Sequence, residues 1–344
     1  MNHIQLYSGY PGETLHEELA LMPAGETISM DLITEGGLFI DPDRQSTHTS
    51  RGMDLFTVIY EQCSIASVDP SLVTLWWGNV NVQDLYDMWC KENNPSSRLT
   101  VAYYPIWASV LVTNTTDYHA QYEVLRNNTH REKLFTYLCG EPRDHRIEAM
   151  NYIYENNLID SCEWTWINDF KEELHPWFHD KVPKSAEGHK TVMERRTFQD
   201  PGKEFFDIYD RTYFDLVPET FYFHDQFHCA QLAHWEPVFF SEKIFRSIYN
   251  KRPFLLIGNK NSLKELRKMG FKTFPHIFDE RYDSLDDDKR MNHVLEQLKG
   301  LSIKQMHIDM YSLETAEILQ HNYDTLMEYQ KNYGAIIESV SNTE

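Results

Sequence analysis

Between Phe239 and Gly258 the chain reads FFSEKIFRSIYNKRPFLLIG, a pattern that few folds accommodate. Ile244, Ile248 and Tyr249 recur at helical spacing, and the acidic-basic pair Glu242 and Lys243 falls where that helix begins. Pro253 closes the helix and opens a short apolar strand, Phe254 to Ile257. A helix start followed by a buried strand is one turn of a doubly wound parallel sheet. Helix starts in such sheets present unpaired N–H groups and the positive end of the dipole, so phosphates bind there readily. Lys243 adds a full charge at that point, and Glu242 could accept hydrogen bonds from ribose hydroxyls. The plainer alternative is a surface ion pair on a first helical turn.

Earlier in the chain the same alternation repeats. Strand-like runs fall at Ile4–Tyr7, Thr27–Thr34, Leu72–Trp77, Leu99–Tyr104 and Ser109–Thr113, with helical patterns at Leu55–Ala66 and Val82–Lys91. This predicts an α/β lobe with a mostly parallel sheet over residues 1–130. Asn127-Asn128 and the charged stretch His130 to Lys133 read as a linker, after which a second sheet begins at Leu134 and its lobe extends over 131–310. From Asn168 to Lys203 the sequence is charged, Pro-bearing and weakly periodic, which predicts an insertion or lid with WINDFKEELHPWF as a short helix. Asp286, Asp287 and Asp288 suit a first helical turn. A C-terminal helix over 311–344 is expected, with its pattern running from Ser312 to Tyr333 and stopping at Gly334; Leu313, Ala316, Ile318, Leu319, Tyr323 and Leu326 form its apolar side.

Composition bounds the partners. The 344 residues are 41% apolar, enough for two packed domains. Lys and Arg number 32 against 53 Asp and Glu, a net charge of −21. Such a surface repels polyphosphates over most of its extent and argues against a broad nucleic-acid platform, while permitting a local basic pocket. Cys63, Cys90, Cys139, Cys162 and Cys229 show no Cys-x-x-Cys spacing, which fits reduced thiols in a cytosol. The opening MNHIQLYSGYPGETLHEEL has neither a basic segment nor an apolar core, and no run approaches a membrane span. A cytoplasmic protein without a membrane partner is expected.

The segment SEKIFRSIYNKRPFLLIG resembles the donor-binding motif of fucosyltransferase-like glycosyltransferases of the GT-B fold. In that family an acidic residue ends a strand and a Ser/Thr-Glu-Lys helix start follows, with a Pro-bounded apolar strand ending in Gly after it. Glu219, in LVPETFYF, matches the first place, and Ser241, Glu242 and Lys243 match the second. NSLKELRKMGFKTFPHIFDERYD, residues 261 to 283, is similar to glycosyltransferase-like proteins encoded by phages and large viruses. KLFTYLCGEPRDHRIEAMNYIYENNLID, residues 133 to 160, resembles the opening of the same donor lobe, with Arg143, His145 and Arg146 where its helix begins. The resemblance covers roughly 130 to 290. It implies two Rossmann-like lobes with a cleft between them and C-terminal helices, no cofactor, and a nucleotide-sugar donor held mainly by the second lobe.

A nucleotide-sugar leaves as a diphosphate whose charge grows as the glycosidic bond breaks, so a metal-free site must supply cations and backbone donors. Arg143 and Arg146 could grip phosphate oxygens in a bidentate manner, with Lys243 as a compact point charge. Solvated helix-start residues are the alternative for both arginines. Glu219 is expected to touch ribose or base. The general base of an inverting transferase would come from the first lobe, where Glu13, His16 and Glu17, with Glu18 beside them, follow a Gly-rich bend. A helix capped near Thr14 also explains these residues.

Other constellations point elsewhere. Asp41 and Asp43 in FIDPD have the look of a metal clamp, though Pro42 between them suits a turn. His224, His228 and His234 cluster with Asp225 and Cys229, but without the Glu of a metalloprotease motif. His175, His179 and Asp180 invite the same caution. Trp76, Trp77 and Asn79 end an apolar strand and could line an acceptor side or belong to the core. No Gly-x-Ser-x-Gly elbow, Walker loop or Gly-x-Gly-x-x-Gly fingerprint occurs, which leaves hydrolase, kinase-type and dehydrogenase readings without support. The expected activity is sugar transfer to an acceptor glycan, protein or modified DNA base. A phage-type DNA base glycosyltransferase is one alternative, and a non-catalytic binding protein that kept the fold is another.

Overall fold

A computed structural model describes residues 2–7, 15–33, 55–78, 80, 82–105, 131–139, 143–166, 174–180, 208–223 and 238–341. The chain divides into two compact units. The first comprises Met1–Ser109, Phe223–Phe240 and Tyr329–Glu344, and the second Val110–Tyr222 and Ser241–Glu328. Each is a Rossmann-like α/β unit built on a parallel sheet.

In the first unit β1 (Asn2–Tyr7), β2 (Ile28–Ile33), β3 (Val73–Trp77) and β4 (Thr100–Tyr103) lie side by side in chain order, all parallel. Helices α1 (Leu15–Ala20), α2 (Leu55–Ala66) and α3 (Val82–Asn93) connect them, since a parallel pair needs a crossover. Phe56, Ile59, Val73, Leu75, Trp77 and Leu85 make the core, at most 1% exposed. Tyr86 and Trp89 stack on one face of α3, and the hydroxyls of Tyr60 and Tyr86 lie 2.7 Å apart. The Leu99 N–H donates to the Tyr86 hydroxyl at 3.0 Å, which pins the entry to β4. The expected segment Ser109–Thr113 lies outside the described residues.

The second unit has strand order β6-β5-β7-β8, again all parallel. Its strands are β5 (Lys133–Cys139), β6 (Cys162–Trp166), β7 (Thr212–Pro218) and β8 (Phe254–Ile257). Chain order reverses between β5 and β7: from β5 the chain steps outward to β6, then returns to the other side. β7 is buried at every position, and β5 at every position after its first, as strands covered on both faces must be. Helix α4 (Asp144–Glu155) follows β5 and α5 (Glu242–Tyr249) precedes β8. After β8 come α6 (Ser262–Lys268), α7 (Asp287–Gly300), α8 (Ile303–Met310) and α9 (Leu313–Ser341). α7 lies against α4, and α8 against β5 and β7.

Three local expectations differ from the structure. Trp166, expected to open the WINDFKEELHPWF helix, instead ends β6, and Pro176–Asp180 forms a 3-10 turn, while residues 167–173 lie outside the described residues. The Tyr154 ring stacks on Trp177 at 4.9 Å, so aromatic packing holds this segment. Helix α9 continues through Gly334 to Ser341. A glycine inside a helix costs only about 1 kcal/mol, less than a long amphipathic helix gains by packing. Leu313 is 76% exposed, because the buried stripe of α9 begins at Thr315 and runs through Ile318, Leu319, Asn322, Tyr323 and Leu326.

An ion pair sits inside the second sheet. Asp215 of β7 accepts from Thr136 Oγ1 and Ser247 Oγ, both at 2.7 Å, and from Arg252 Nε at 3.2 Å. Arg252 also donates to the Tyr209 and Thr212 carbonyl oxygens and to Thr212 Oγ1. Removing one partner of such a pair strands the other charge in a dry interior. Asp215→Ala should therefore destabilise the second unit by about 3–5 kcal/mol, measured by denaturant titration; a loss near zero would mean that water reaches Arg252.

Candidate functional site

In open parallel sheets ligands bind beyond the carboxyl ends of the strands, where strand order reverses. In the second unit that place lies past Cys139 of β5 and Pro218 of β7. Arg143, His145, Arg146, Glu219, Ser241, Glu242 and Lys243 all lie on the segments leaving these strand ends or entering the adjoining helices.

Glu219 follows β7 with no exposed surface. Its Oε2 accepts from the Thr220 and Ser241 N–H groups at 3.1 and 3.2 Å and from the Ser241 hydroxyl. Oε1 is buried without a hydrogen-bond partner among the described residues. Burial pushes the carboxyl above its ordinary range, against the charge of Lys243 and the Ser241 hydrogen bond.

Ser241 is the N-cap of α5, in extended conformation, and its side chain accepts from the Lys243 N–H. Lys243 Nζ donates to Glu242 Oε1 at 2.8 Å and to Thr220 Oγ1 and Ser241 Oγ at 3.2 Å. Burial works to raise the Glu242 carboxyl, but the charge and hydrogen bond of Lys243 outweigh it and hold it below the usual carboxylate range. The pair is partly buried, unlike the solvent-exposed pair that the sequence also allows.

The two arginines have different surroundings. Arg146 is buried in the first turn of α4, where NH2 donates to the carbonyl oxygens of Glu219 at 2.9 Å and Pro218 at 3.4 Å. It fastens the end of β7, whereas the sequence suggested a phosphate grip equal to that of Arg143. Arg143 is half-buried at the N-cap of α4, and its guanidinium stands 5.3 Å from the centroid of the Phe221 ring. Arg146, Lys243 and Arg143 all bear on Cys139, whose thiol burial raises to about 12 in spite of these opposing charges. One strand end therefore feels all three cations.

His145 stacks on Tyr222 at 5.5 Å, and its Nε2 lies 3.0 Å from the Glu219 carbonyl oxygen. A carbonyl only accepts, so Nε2 carries the hydrogen. Burial and the Arg146 charge bring the imidazole down to about 3, and it stays neutral at ordinary pH. Arg290 lies over the other partner of this stack, 4.3 Å from the Tyr222 centroid, and donates to the Gly258 and Tyr222 carbonyl oxygens at 3.0 Å. Tyr222 and Arg290 escaped the sequence reading because no local pattern announces a buried arginine.

The helix starts differ in what they leave open. At α6 the Asp283 carboxylate accepts from the Leu263 and Lys264 N–H groups at 2.8 and 2.9 Å, so the protein's own anion fills that end. At α5 the cap is a neutral serine beside a lysine.

In the first unit His16 is half-buried on α1, while Glu17 and Glu18 are exposed. Gln62 Oε1, on α2, lies 3.0 Å from the His16 backbone nitrogen and 2.9 Å from Nδ1. An amide oxygen accepts, which places the hydrogen on Nδ1 and leaves the lone pair on Nε2. Gln62 carried no sequence signal. Trp77 is core, and Trp76 meets Tyr104 edge-on at 6.3 Å. Glu13, Asn79, Asp41, Asp43 and the cluster His224, Asp225, His228, Cys229 and His234 lie outside the described residues, as do the side chains of His179 and Asp180. Among the described residues no three metal-ligating side chains converge, the cysteines Cys63, Cys90, Cys139 and Cys162 are buried and form no disulfide, and no helix is long and apolar enough to cross a membrane.

No family model matches the chain, and no curated protein matches its sequence. Among solved structures it is similar to a UDP-forming α,α-trehalose-phosphate synthase from Burkholderia xenovorans, at 10% identity and a TM-score of 0.47, over 99% of this chain and 74% of that one. UGT71G1 from Medicago truncatula, complexed with UDP-glucose, is a second such structure, at 8% identity and a TM-score of 0.26, over 89% and 71% of the two chains.

The buried imidazole gives this region a pH dependence. Its folded value, about 3, lies below the ordinary histidine value of 6.5, so the unfolded chain binds the extra proton first on acidification. Stability from this group is complete above about pH 6.5 and falls away towards pH 3. His145→Gln should flatten that part of the stability-pH profile, read by thermal unfolding across the range; an unchanged slope would place the imidazole in water.

Proposed function

We propose that this chain is a glycosyltransferase of the GT-B class, resembling the fucosyltransferase-like group, which takes a sugar from a nucleotide-diphosphate donor bound by the second unit. The observation that carries this reading is the gathering of Arg143, Lys243, Glu219 and Glu242 at the carboxyl-end switch point of a parallel sheet. The position, the helix start and the pairing of cations with hydroxyl-accepting carboxylates suit a ligand that carries both phosphates and a ribose.

The roles follow from the chemistry. An acceptor hydroxyl oxygen attacks the anomeric carbon, the bond from that carbon to the diphosphate oxygen breaks, and its electron pair remains on the leaving diphosphate. Lys243 and Arg143 offset the charge that develops there, and they do so without a metal. Glu242 and Glu219 accept from ribose hydroxyls or base. Arg146 and His145 hold the Glu219 main chain in place. The acceptor proton needs a base; of the candidates Glu13, His16 and Glu17, His16 has its tautomer set by Gln62, with the lone pair on Nε2. The net charge of −21 disfavours duplex DNA as acceptor and leaves a glycan or protein hydroxyl as the better reading.

Thermal-shift screening against nucleoside diphosphates tests the proposal, since a ligand that binds only the folded state raises its melting temperature. Lys243→Ala should weaken nucleoside-diphosphate binding by at least about tenfold, the effect of losing one charge-assisted contact, measured on variant protein that circular dichroism shows to be folded. Equal binding by the variant would overturn the assignment.

A further inference from the structure

The ammonium of Lys243 has three hydrogens, and each has an acceptor within the chain: Glu242 Oε1, Thr220 Oγ1 and Ser241 Oγ. An incoming anion must displace one of these. Two are poor candidates. Ser241 Oγ also donates to Glu219 and accepts from the Lys243 N–H, and Thr220 is 1% exposed. Glu242, with 21% of its side chain exposed, is the partner that can leave.

Displacing Glu242 leaves a partly buried carboxylate without its cation. Glu219 stands on the other side of Ser241, fully buried, with Oε1 still lacking a donor among the described residues. Two carboxylates therefore border the Ser241–Lys243 corner, and only Glu242 holds the ammonium directly. A bare phosphate or pyrophosphate that displaced Glu242 would bring no hydrogen for either carboxylate. A ligand that joins a diphosphate to vicinal hydroxyls gives Lys243 its anion and gives the carboxylates their donors.

We propose that the Glu242–Lys243 pair is a selectivity gate, which opens for nucleoside diphosphates with an intact ribose diol and stays shut to simple inorganic anions. The inference rests on the donor-site reading above and adds to it the rejection of the wrong ligand, since specificity is a difference between affinities. It makes Glu242 a specificity-determining residue in addition to a ribose contact.

Titration calorimetry on the full chain decides the matter, using sodium pyrophosphate, the uridine, guanosine, adenosine and cytidine diphosphates, and the 2′,3′-dideoxy form of whichever binds best. Glu242→Gln keeps the shape and removes the charge. It should tighten pyrophosphate by about tenfold and reduce the preference for the nucleotide over pyrophosphate by at least that factor. The unmutated chain should bind the dideoxy nucleotide about tenfold more weakly than its parent, a measurement that stands even if the variant does not fold. Unchanged pyrophosphate affinity in a folded Glu242→Gln, or equal binding of the dideoxy nucleotide, overturns the gate while leaving the donor site intact. Nucleotide binding that survives Lys243→Ala overturns both.

Discussion

A carboxylate with no exposed surface has to be met by donors, and in the second unit Glu219 creates that demand at the end of a central strand. Much of the nearby architecture answers it. Oε2 takes hydrogens from Thr220 and Ser241, which fixes the entry to α5 and with it the position of Lys243. The main-chain oxygen of the same residue takes hydrogens from His145 and Arg146, which ties the first turn of α4 to β7. Two helix starts are thereby fastened to one strand end.

This anchoring divides the basic residues by task. Arg146 spends donors on backbone oxygens in a dry setting, where an unpaired carbonyl would be costly. His145 serves beside it as a neutral donor, because burial removes its charge. Arg143 and Lys243 are the cations beside hydroxyls, a carboxylate and an aromatic face. A chain with net charge −21 can hold an anionic ligand in this way, since local cations with short contacts outweigh a distant, salt-screened surface field.

Strand and helix identity was readable where side-chain periodicity and proline agreed. Phe254–Ile257 and Leu55–Ala66 match the expected bounds, and Ser241 caps a helix that begins at Glu242. The reading went astray where a weak local signal met strong packing. Gly334 did not end α9, Leu313 fell outside its buried stripe, and Trp166 went to a strand edge. Of the site, Glu242 and Lys243 could be named from the pattern, but Thr220, Tyr222, Arg290 and Gln62 could not, because their partners are distant in sequence.

The amino-acid sequence by itself determined the alternation of strands and helices, through hydrophobic period, caps and proline, all of which act within a few residues. Only the tertiary structure decided which of two neighbouring arginines faces a carbonyl and which faces an aromatic ring, and that a lysine's three hydrogens are all taken. Those outcomes depend on strand order: the return of the chain past β5 brings residues some seventy positions apart within hydrogen-bond distance, and no local rule encodes that proximity.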